Sequence, residues 1–424
     1  MMSPSEDCGC QDPATTPMPA VAPVSERHRV LIIGGGTAGI CVAARLARAG
    51  QKHVAILEPS ERHYYQPLWT LVGAGEARAE DTIRDEADFI PRGVKWLKDA
   101  AEEIDPRRQE VRTRGGLRIG YDFLVVAPGI QLDWDKVAGL RDALETEHVS
   151  SNYDVKLAPK TWRMIQRFEG GTALFTHPAT PVKCAGAPQK IMYLAADHFR
   201  RTGILGRSQV VFGSGAKAIF GVQPYAQVLE GVVKRYGIQT HFTHDLVAVD
   251  GARREAIFET TRDGRKTRVT MRYDLLHVTP PQSAPDFLKR GPLTSKDGAC
   301  VGWVRADKHT LQHPEFPTVF ALGDASDLPT SRTGAAIRKQ APVLVENLQA
   351  VMAGRAPTAR YDGYASCPLT TGYGKLLLAE FDYDGKPTPS LPLIDTLQER
   401  RDMWLMKKYG LPQLYWKLML RGRA

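Results

Sequence analysis

The 424-residue chain has no run approaching the ~18 uninterrupted apolar residues of a spanning helix, so no segment is expected to cross a membrane. It is poor in cysteine. The six cysteines, at positions 8, 10, 41, 184, 300 and 367, are too few and too scattered for a disulfide framework. That usage fits a reducing compartment, where a special cysteine is more often chemical than structural. No early basic region precedes an apolar run, which excludes a secretory signal peptide. The first arginine is Arg27, after Glu6 and Asp7, which argues against an Arg-rich transit peptide. Cys8-Gly9-Cys10 has no second pair nearby to complete a metal site, so two loose thiols are expected there and no metal.

What is present is ordinary globular usage: 43% hydrophobic and 24% charged residues, with a formal net charge of +9. The length suits two or three domains. Residues 1–27, rich in Pro, Ala, Thr and Ser, cannot build a core and read as a disordered leader. The pattern changes at Arg29. Val30–Ile33 is a short β-branched run, followed by Gly34-Gly35-Gly36-Thr37-Ala38-Gly39, a helical stretch to about Ala49, a strand Val54–Leu57 and then Glu58. That is the order of a dinucleotide fold. Gly34 permits the tight turn, Gly36 lets the backbone approach a pyrophosphate, and Gly39 allows close helix–strand packing. The helix N-terminus faces the phosphates, and Glu58 is placed to accept from a ribose. Cys41, among Ile40, Val42 and Leu46, reads as a buried structural thiol.

Two later segments point to a flavin. Tyr121–Pro128 reads as a strand running into Gly129. Thr318–Leu322 reads as a strand ending in Gly323-Asp324, followed by a polar turn and a helix from Gly334 to Ala350. A carboxylate at such a strand end can bind a ribityl or ribose hydroxyl, and the helix N-terminus can face the electron-rich edge of a flavin. One discontinuous FAD domain explains these pieces. Between them, Val210–Phe212 and Gly213-Ser214-Gly215-Ala216-Lys217-Ala218, with a following helix, resemble a second dinucleotide turn. Its third glycine is replaced by Ala218, Ile219-Phe220 add bulk, and only Asp245 offers a ribose-binding acid, so this half reads as vestigial.

Cys184 follows a strand-like Ala173–Thr176 and a Pro-containing loop, and precedes a helix starting near Pro188, with Lys183 and Lys190 on either side. A helix N-terminus and two cations lower a thiol pKa. Cys367, between Tyr364 and Pro368, reads as a packed small hydrophobe in an irregular segment. Spacing alone does not join these two cysteines.

From about Arg29 onward the chain resembles the flavin-dependent sulfide:quinone oxidoreductases of the mitochondrial type. The resemblance is carried by His63-Tyr64-Tyr65-Gln66-Pro67-Leu68-Trp69-Thr70-Leu71-Val72-Gly73 and by Pro181-Val182-Lys183-Cys184-Ala185-Gly186-Ala187-Pro188-Gln189-Lys190. Gly323-Asp324 with Leu328-Pro329-Thr330-Ser331, Tyr361-Asp362-Gly363-Tyr364 and Ser366-Cys367-Pro368-Leu369 extend it over nearly the whole folded chain.

The resemblance implies an α/β fold with two Rossmann-like domains. Residues 28–150 and 276–350 would form the discontinuous FAD domain, 151–275 the vestigial NAD-type domain, and 351–424 the C-terminal active-site and membrane/quinone-binding segment. It implies FAD as cofactor, sulfide as donor, and ubiquinone or menaquinone as acceptor. Cys184 and Cys367 match the family's redox pair, while Cys41 and Cys300 match no redox position. Besides Gly34, Gly36, Gly39 and Glu58, the implied FAD contacts include Thr37, Gln66, Ala101 and Gly129. Around the flavin they include Asp324, Thr333, Gly334, Ala335 and Arg332, the last standing where the mitochondrial type carries Lys.

The implied mechanism links the two cysteines through sulfur. Hydrosulfide opens that bridge, leaves a persulfide on Cys367 and frees Cys184 toward the flavin, and glutathione, sulfite or sulfide takes the sulfane sulfur. Residues 395–424 hold seven basic and three acidic residues interleaved with Trp404, Tyr415, Trp416 and several Leu and Met. Two short amphipathic helices, broken at Gly410-Pro412, are expected to set Trp and Leu at the acyl boundary of a membrane surface. A helix docked on the body or on a second subunit of a homodimer ranks second. Family members often extend further, so a short anchor and weak attachment are expected. Such a basic, aromatic tail disfavours nucleic acid. The expected place is peripheral, on the cytoplasmic face of the cytoplasmic (inner) membrane. The rivals are an NAD(P)H:quinone oxidoreductase and a non-catalytic sulfide sensor.

Overall fold

The β-branched run ahead of the first glycine turn forms strand β1 (Glu26–Ile33), whose last four residues are all buried. In this computed structural model, residues 24–262, 264–391 and 394–424 are described, so Cys8, Cys10 and most of the expected leader lie outside the described residues. Strand β1 begins two residues inside that leader. The reason is Arg27, whose guanidinium holds Asp122 and the Tyr121 carbonyl of a neighbouring strand.

Helix α1 (Thr37–Arg48) buries Ile40, Val42 and Leu46, and places Arg45 and Arg48 in its last turn, where they complement the helix dipole. Strands β2 (Val54–Leu57), β3 (Lys95–Leu97), β4 (Ala101–Asp105), β5 (Glu110–Thr113) and β6 (Arg118–Val126) complete the first part of this sheet. Its order is β3-β2-β1-β6-β5-β4, parallel from β3 to β6 and antiparallel beyond.

A second sheet, parallel throughout, collects β7 (Val149–Ser150), β8 (Gly171–His177), β9 (Ser208–Ser214), β10 (Gln239–Phe242) and β11 (Leu275–His277) in the order β7-β11-β8-β9-β10. Helices α2 (Ala187–Arg201) and α3 (Gln223–Tyr236) connect its strands. Strand β7 falls just before the boundary expected at 150 although it belongs to this second sheet, and β11 crosses the one expected at 275. The helix after the second glycine turn starts only at Gln223, beyond an irregular Gly215–Val222 stretch.

The chain then returns to the first sheet. Strand β12 (Val319–Ala321) pairs with Leu124–Val126, the far half of β6, and α4 (Gly334–Met352) packs on α1. Thr333 caps α4, its hydroxyl accepting from the Ala336 N–H.

The hairpin β13 (Ala365–Gly372) and β14 (Lys375–Phe381) places Cys367 within a strand and not in an irregular segment. Pro368 is tolerated because β13 has β14 as its one sheet neighbour.

The tail also departs from expectation. Helix α5 (Arg401–Leu405), a wide turn over Met406–Gly410 and α6 (Leu411–Lys417) form one continuous helical run, followed by a tight turn at Met419–Arg421. Gly410-Pro412 does not break it: the run widens over Met406–Gly410, the Leu411 N–H reaching back to the Met406 carbonyl, and Pro412 follows that wider turn. Trp404, Tyr415 and Trp416 are 5%, 4% and 6% exposed. They pack on the body, and the large apolar side chains these helices leave in solvent are Leu405, Tyr409 and Leu418. Among the described residues no helix is long and apolar enough to cross a membrane.

Candidate active site

The first glycine turn is shaped by close approach. Gly34 has φ +100°, and a Cβ there would lie 2.4 Å from the Ala127 carbonyl oxygen. A Cβ at Gly39 would lie 1.8 Å from the Gly34 oxygen. Gly36, by contrast, faces open space, and no side chain caps α1. The first N–H groups of α1 are therefore available to an anion. Glu58 ends β2 with its two oxygens accepting from the Gly35 and Ser60 N–H groups, each keeping a lone pair. Burial raises its pKa despite those donors.

Gly129, at φ +77° beyond β6, also faces open space. Asp324 lies in the turn that follows β12. Burial raises its carboxyl, against the pull of Lys183 and Arg332. Arg332 donates to the Asp324 and Ser326 carbonyls, and its guanidinium lies 3.9 Å from the Trp303 ring centre. It thus braces the turn that leads to Thr333, Gly334 and Ala335 at the head of α4. The two helix N-termini, the open Gly36 and the acid after β12 fit a flavin dinucleotide laid across the sheet ends. Ala101 is placed differently, its methyl packed in the apolar cluster with Leu57 and Leu97, so it offers a ligand only main chain.

The two cysteines, 183 residues apart, meet. Cys184 Sγ and Cys367 Sγ are 3.1 Å apart. Cys184 adopts φ +53°, a left-handed conformation that costs a non-glycine residue about 1 kcal/mol or more. Its N–H donates to the Arg332 carbonyl at 2.7 Å, and the Ala187 N–H closes the turn onto the Cys184 carbonyl. The loop is pinned between the start of α2 and the approach to α4.

Lys190, in the first turn of α2, donates to Cys184 Sγ at 3.1 Å. The Cys184 thiol is held well below its ordinary value because Cys367 donates to it and Lys190 faces it. Cys367 is pushed up, as the donor of that hydrogen bond and by burial. The Lys190 ammonium, which burial would lower, is held above its ordinary value by the two sulfurs.

The second flanking cation, Lys183, turns away. Its ammonium donates to Gln66 and lies over the Trp69 and Tyr153 rings. Burial lowers it to about 8. A different lysine takes its place. Lys407, 3% exposed on the tail, donates to the Pro67 carbonyl, and burial together with Lys190 lowers it to about 7. It is close enough to the cysteines for their charge to act on it. As one cation in a basic, aromatic tail, Lys407 gave no sign of this in the sequence. Cys41 is 1% exposed and donates to the Met419 carbonyl, as a structural thiol does.

At the second glycine turn, a Cβ on Gly215 would strike the Ala179 backbone at 2.4 Å. Asp245, the one acid available to a ribose, instead accepts from the Ala179 N–H. The helix that would point its N-terminus at this turn begins only at Gln223.

A family model for pyridine nucleotide-disulphide oxidoreductases matches residues 28–163. The mitochondrial sulfide:quinone oxidoreductase of Mus musculus is 45% identical over 404 residues, spanning 95% of this chain and 88% of the mouse protein. That of Dictyostelium discoideum is 43% identical, over 93% of this chain and 86% of its own. The solved sulfide:quinone oxidoreductase of Aquifex aeolicus superposes with a TM-score of 0.77 at 18% identity, covering 94% of this chain and 92% of that one, which shows the shared fold. With two relatives this similar along almost their whole length, the chain belongs to the sulfide:quinone oxidoreductase family.

Proposed function

We propose that Cys184 and Cys367 are the redox pair through which this sulfide:quinone oxidoreductase takes two electrons from sulfide. The observation that carries the reading is their 3.1 Å approach beside the Lys190 ammonium. A thiolate is the competent nucleophile and a sulfur link the competent electrophile, so both cysteines are needed.

Hydrosulfide attack on Cys367 of the oxidised pair breaks the bond between the cysteines. It makes a persulfide on Cys367 and leaves Cys184 as the thiolate that Lys190 stabilises. A small nucleophile such as glutathione, sulfite or a second sulfide takes the outer sulfur. Re-forming the bridge then releases two electrons.

FAD, when bound, would supply the two-electron acceptor between this pair and quinone. The Gly36 and Thr37 N–H groups would hold its pyrophosphate, Glu58 a ribose, Asp324 the ribityl chain, and the N-terminus of α4 at Gly334 and Ala335 the flavin edge. The tail would bring this site to a membrane surface through Leu405, Tyr409 and Leu418, set among Lys408, Lys417 and Arg421.

The test is an anaerobic absorbance spectrum before and after stoichiometric sulfide. Bleaching of the flavin band, reversed by quinone, is expected. A Cys184→Ser or Cys367→Ser protein that kept full sulfide-dependent quinone reduction would sink the assignment.

A further inference from the structure

Behind the dinucleotide turn lies a buried polar chain that the reaction does not use. Thr37, the first residue of α1, has its hydroxyl 2.8 Å from the Tyr415 hydroxyl. Tyr415 is 2.6 Å from His63 Nε2, and His63 Nδ1 is 2.8 Å from Glu86 Oε2. His63, Glu86 and Tyr415 are 2%, 1% and 4% exposed. With the Nδ1 hydrogen directed at Glu86, His63 Nε2 accepts from the Tyr415 O–H. The Tyr415 oxygen is then left to accept from Thr37. Burial keeps Tyr415 protonated, so it remains a donor.

The other Glu86 oxygen is buried without a partner, and a Cβ at Gly35 would lie 2.7 Å from it. The chain therefore touches the glycine turn at both ends, at Thr37 and behind Gly35. It is also walled in. His63 stands against the Phe89, Tyr415 and Trp416 rings, and Tyr65 lies 4.5 Å from Tyr415 between ring centres.

Tyr415 comes from the far end of the chain. The tail follows α1 beyond it, with the Met419 carbonyl accepting from Cys41 and Gly422 pressed on the Ala44–Arg45 backbone. Nothing about a docking helix requires a buried hydroxyl aimed at the first residue of a phosphate-binding helix. A phenylalanine would fill the same aromatic pocket.

We propose that Tyr415 is a positioning residue for the dinucleotide: through Thr37 and the His63–Glu86 pair it locks the Gly34–Thr37 turn, so that tail docking and FAD retention are one coupled event. This rests on the assignment of that turn to the FAD pyrophosphate. The Thr37 side chain is tied back toward the tail, and its N–H at the start of α1 is left free for the anion. A turn held in its bound shape loses less freedom when the cofactor arrives, which tightens binding without any new contact to it.

The test compares FAD release from the wild-type holoenzyme and from Tyr415→Phe, followed by flavin fluorescence on dilution, alongside unfolding followed by tryptophan fluorescence after the flavin has been stripped. Tyr415→Phe is expected to release FAD about tenfold faster, and to lower the melting temperature of the stripped protein by a few degrees because the buried His63 Nε2 loses its donor. Thr37→Ala and Tyr415→Phe are expected to be non-additive in a double-mutant cycle. Tyr409→Ser, elsewhere on the tail, is expected to release FAD at the wild-type rate. Equal release from wild type and Tyr415→Phe, or additive effects, overturns the coupling while leaving the FAD assignment standing. A wild-type protein that binds no FAD overturns both.

Discussion

The Lys190 ammonium donates to Cys184 Sγ at 3.1 Å, from six residues further along the chain and inside the first turn of α2. The helix that begins at Ala187 thus presents a fixed cation to Cys184, while the Gly186 N–H just ahead of it faces Cys367. With Lys190→Met, the Cys184 thiol is expected to titrate at higher pH. The pH profile of iodoacetamide alkylation of the reduced protein checks this, and a profile unmoved from wild type would remove Lys190 from the account.

Lys407 makes stability depend on pH. Its pKa of about 7 in the folded protein lies below the ordinary lysine value, so between the two the unfolded chain holds a proton that the folded one has released. This contribution to stability rises with pH across that window and is least favourable below about pH 7. Lys407→Met should therefore raise the melting temperature most near about pH 6, with the gap to wild type closing toward about pH 10. Thermal melts of both proteins across that range decide it.

Gly39 tolerates no side chain, given the 1.8 Å approach of a Cβ to the Gly34 oxygen. Gly39→Ala is expected to cost about 3 kcal/mol or more and to yield protein with little bound flavin. Urea unfolding and the flavin-to-protein absorbance ratio measure the two effects.

The tail predicts two different kinds of loss. Leu405→Ser with Tyr409→Ser should weaken vesicle binding about tenfold without changing the melting temperature, because both side chains are exposed. Trp416→Ala should instead destabilise the fold by about 3–5 kcal/mol, since its ring packs on Phe89, Tyr65 and His63. Co-sedimentation with anionic vesicles and thermal melts separate the cases.

NADH is expected to leave the flavin oxidised, because α3 starts only at Gln223, past the second turn, and Asp245 is already taken by the Ala179 N–H. Rapid anaerobic bleaching by NADH would reverse the reading of that domain.

Much of this was legible where the signal is local. Val30–Ile33, the glycine turn and Glu58 announce the nucleotide half because a strand, a turn and a helix each impose a short-range pattern. The Cys184 loop was legible for the same reason, down to the lysine one turn into its helix. What spacing could not supply was contact at long range. Cys367 looked irregular because Pro368 argues against a strand, and only the pairing with β14 shows why it is tolerated. The tail aromatics looked like lipid anchors because an amphipathic pattern says that one face is buried but not in what. Trp404 and Trp416 found their apolar partner in the protein itself, and Lys407 travelled with them to the cysteines.

The route of strand β6 has a consequence for how the molecule is made. Its far half waits for β12, and the outer face of α1 waits for Met419 and Leu420. A ribosome that has delivered the chain through β6 has therefore released a nucleotide fold with one strand edge unpaired and one helix face bare. The strand edge stays open until β12 emerges, and the helix face until almost the last residue does. During synthesis the most aggregation-prone part of this protein is the half that is made first.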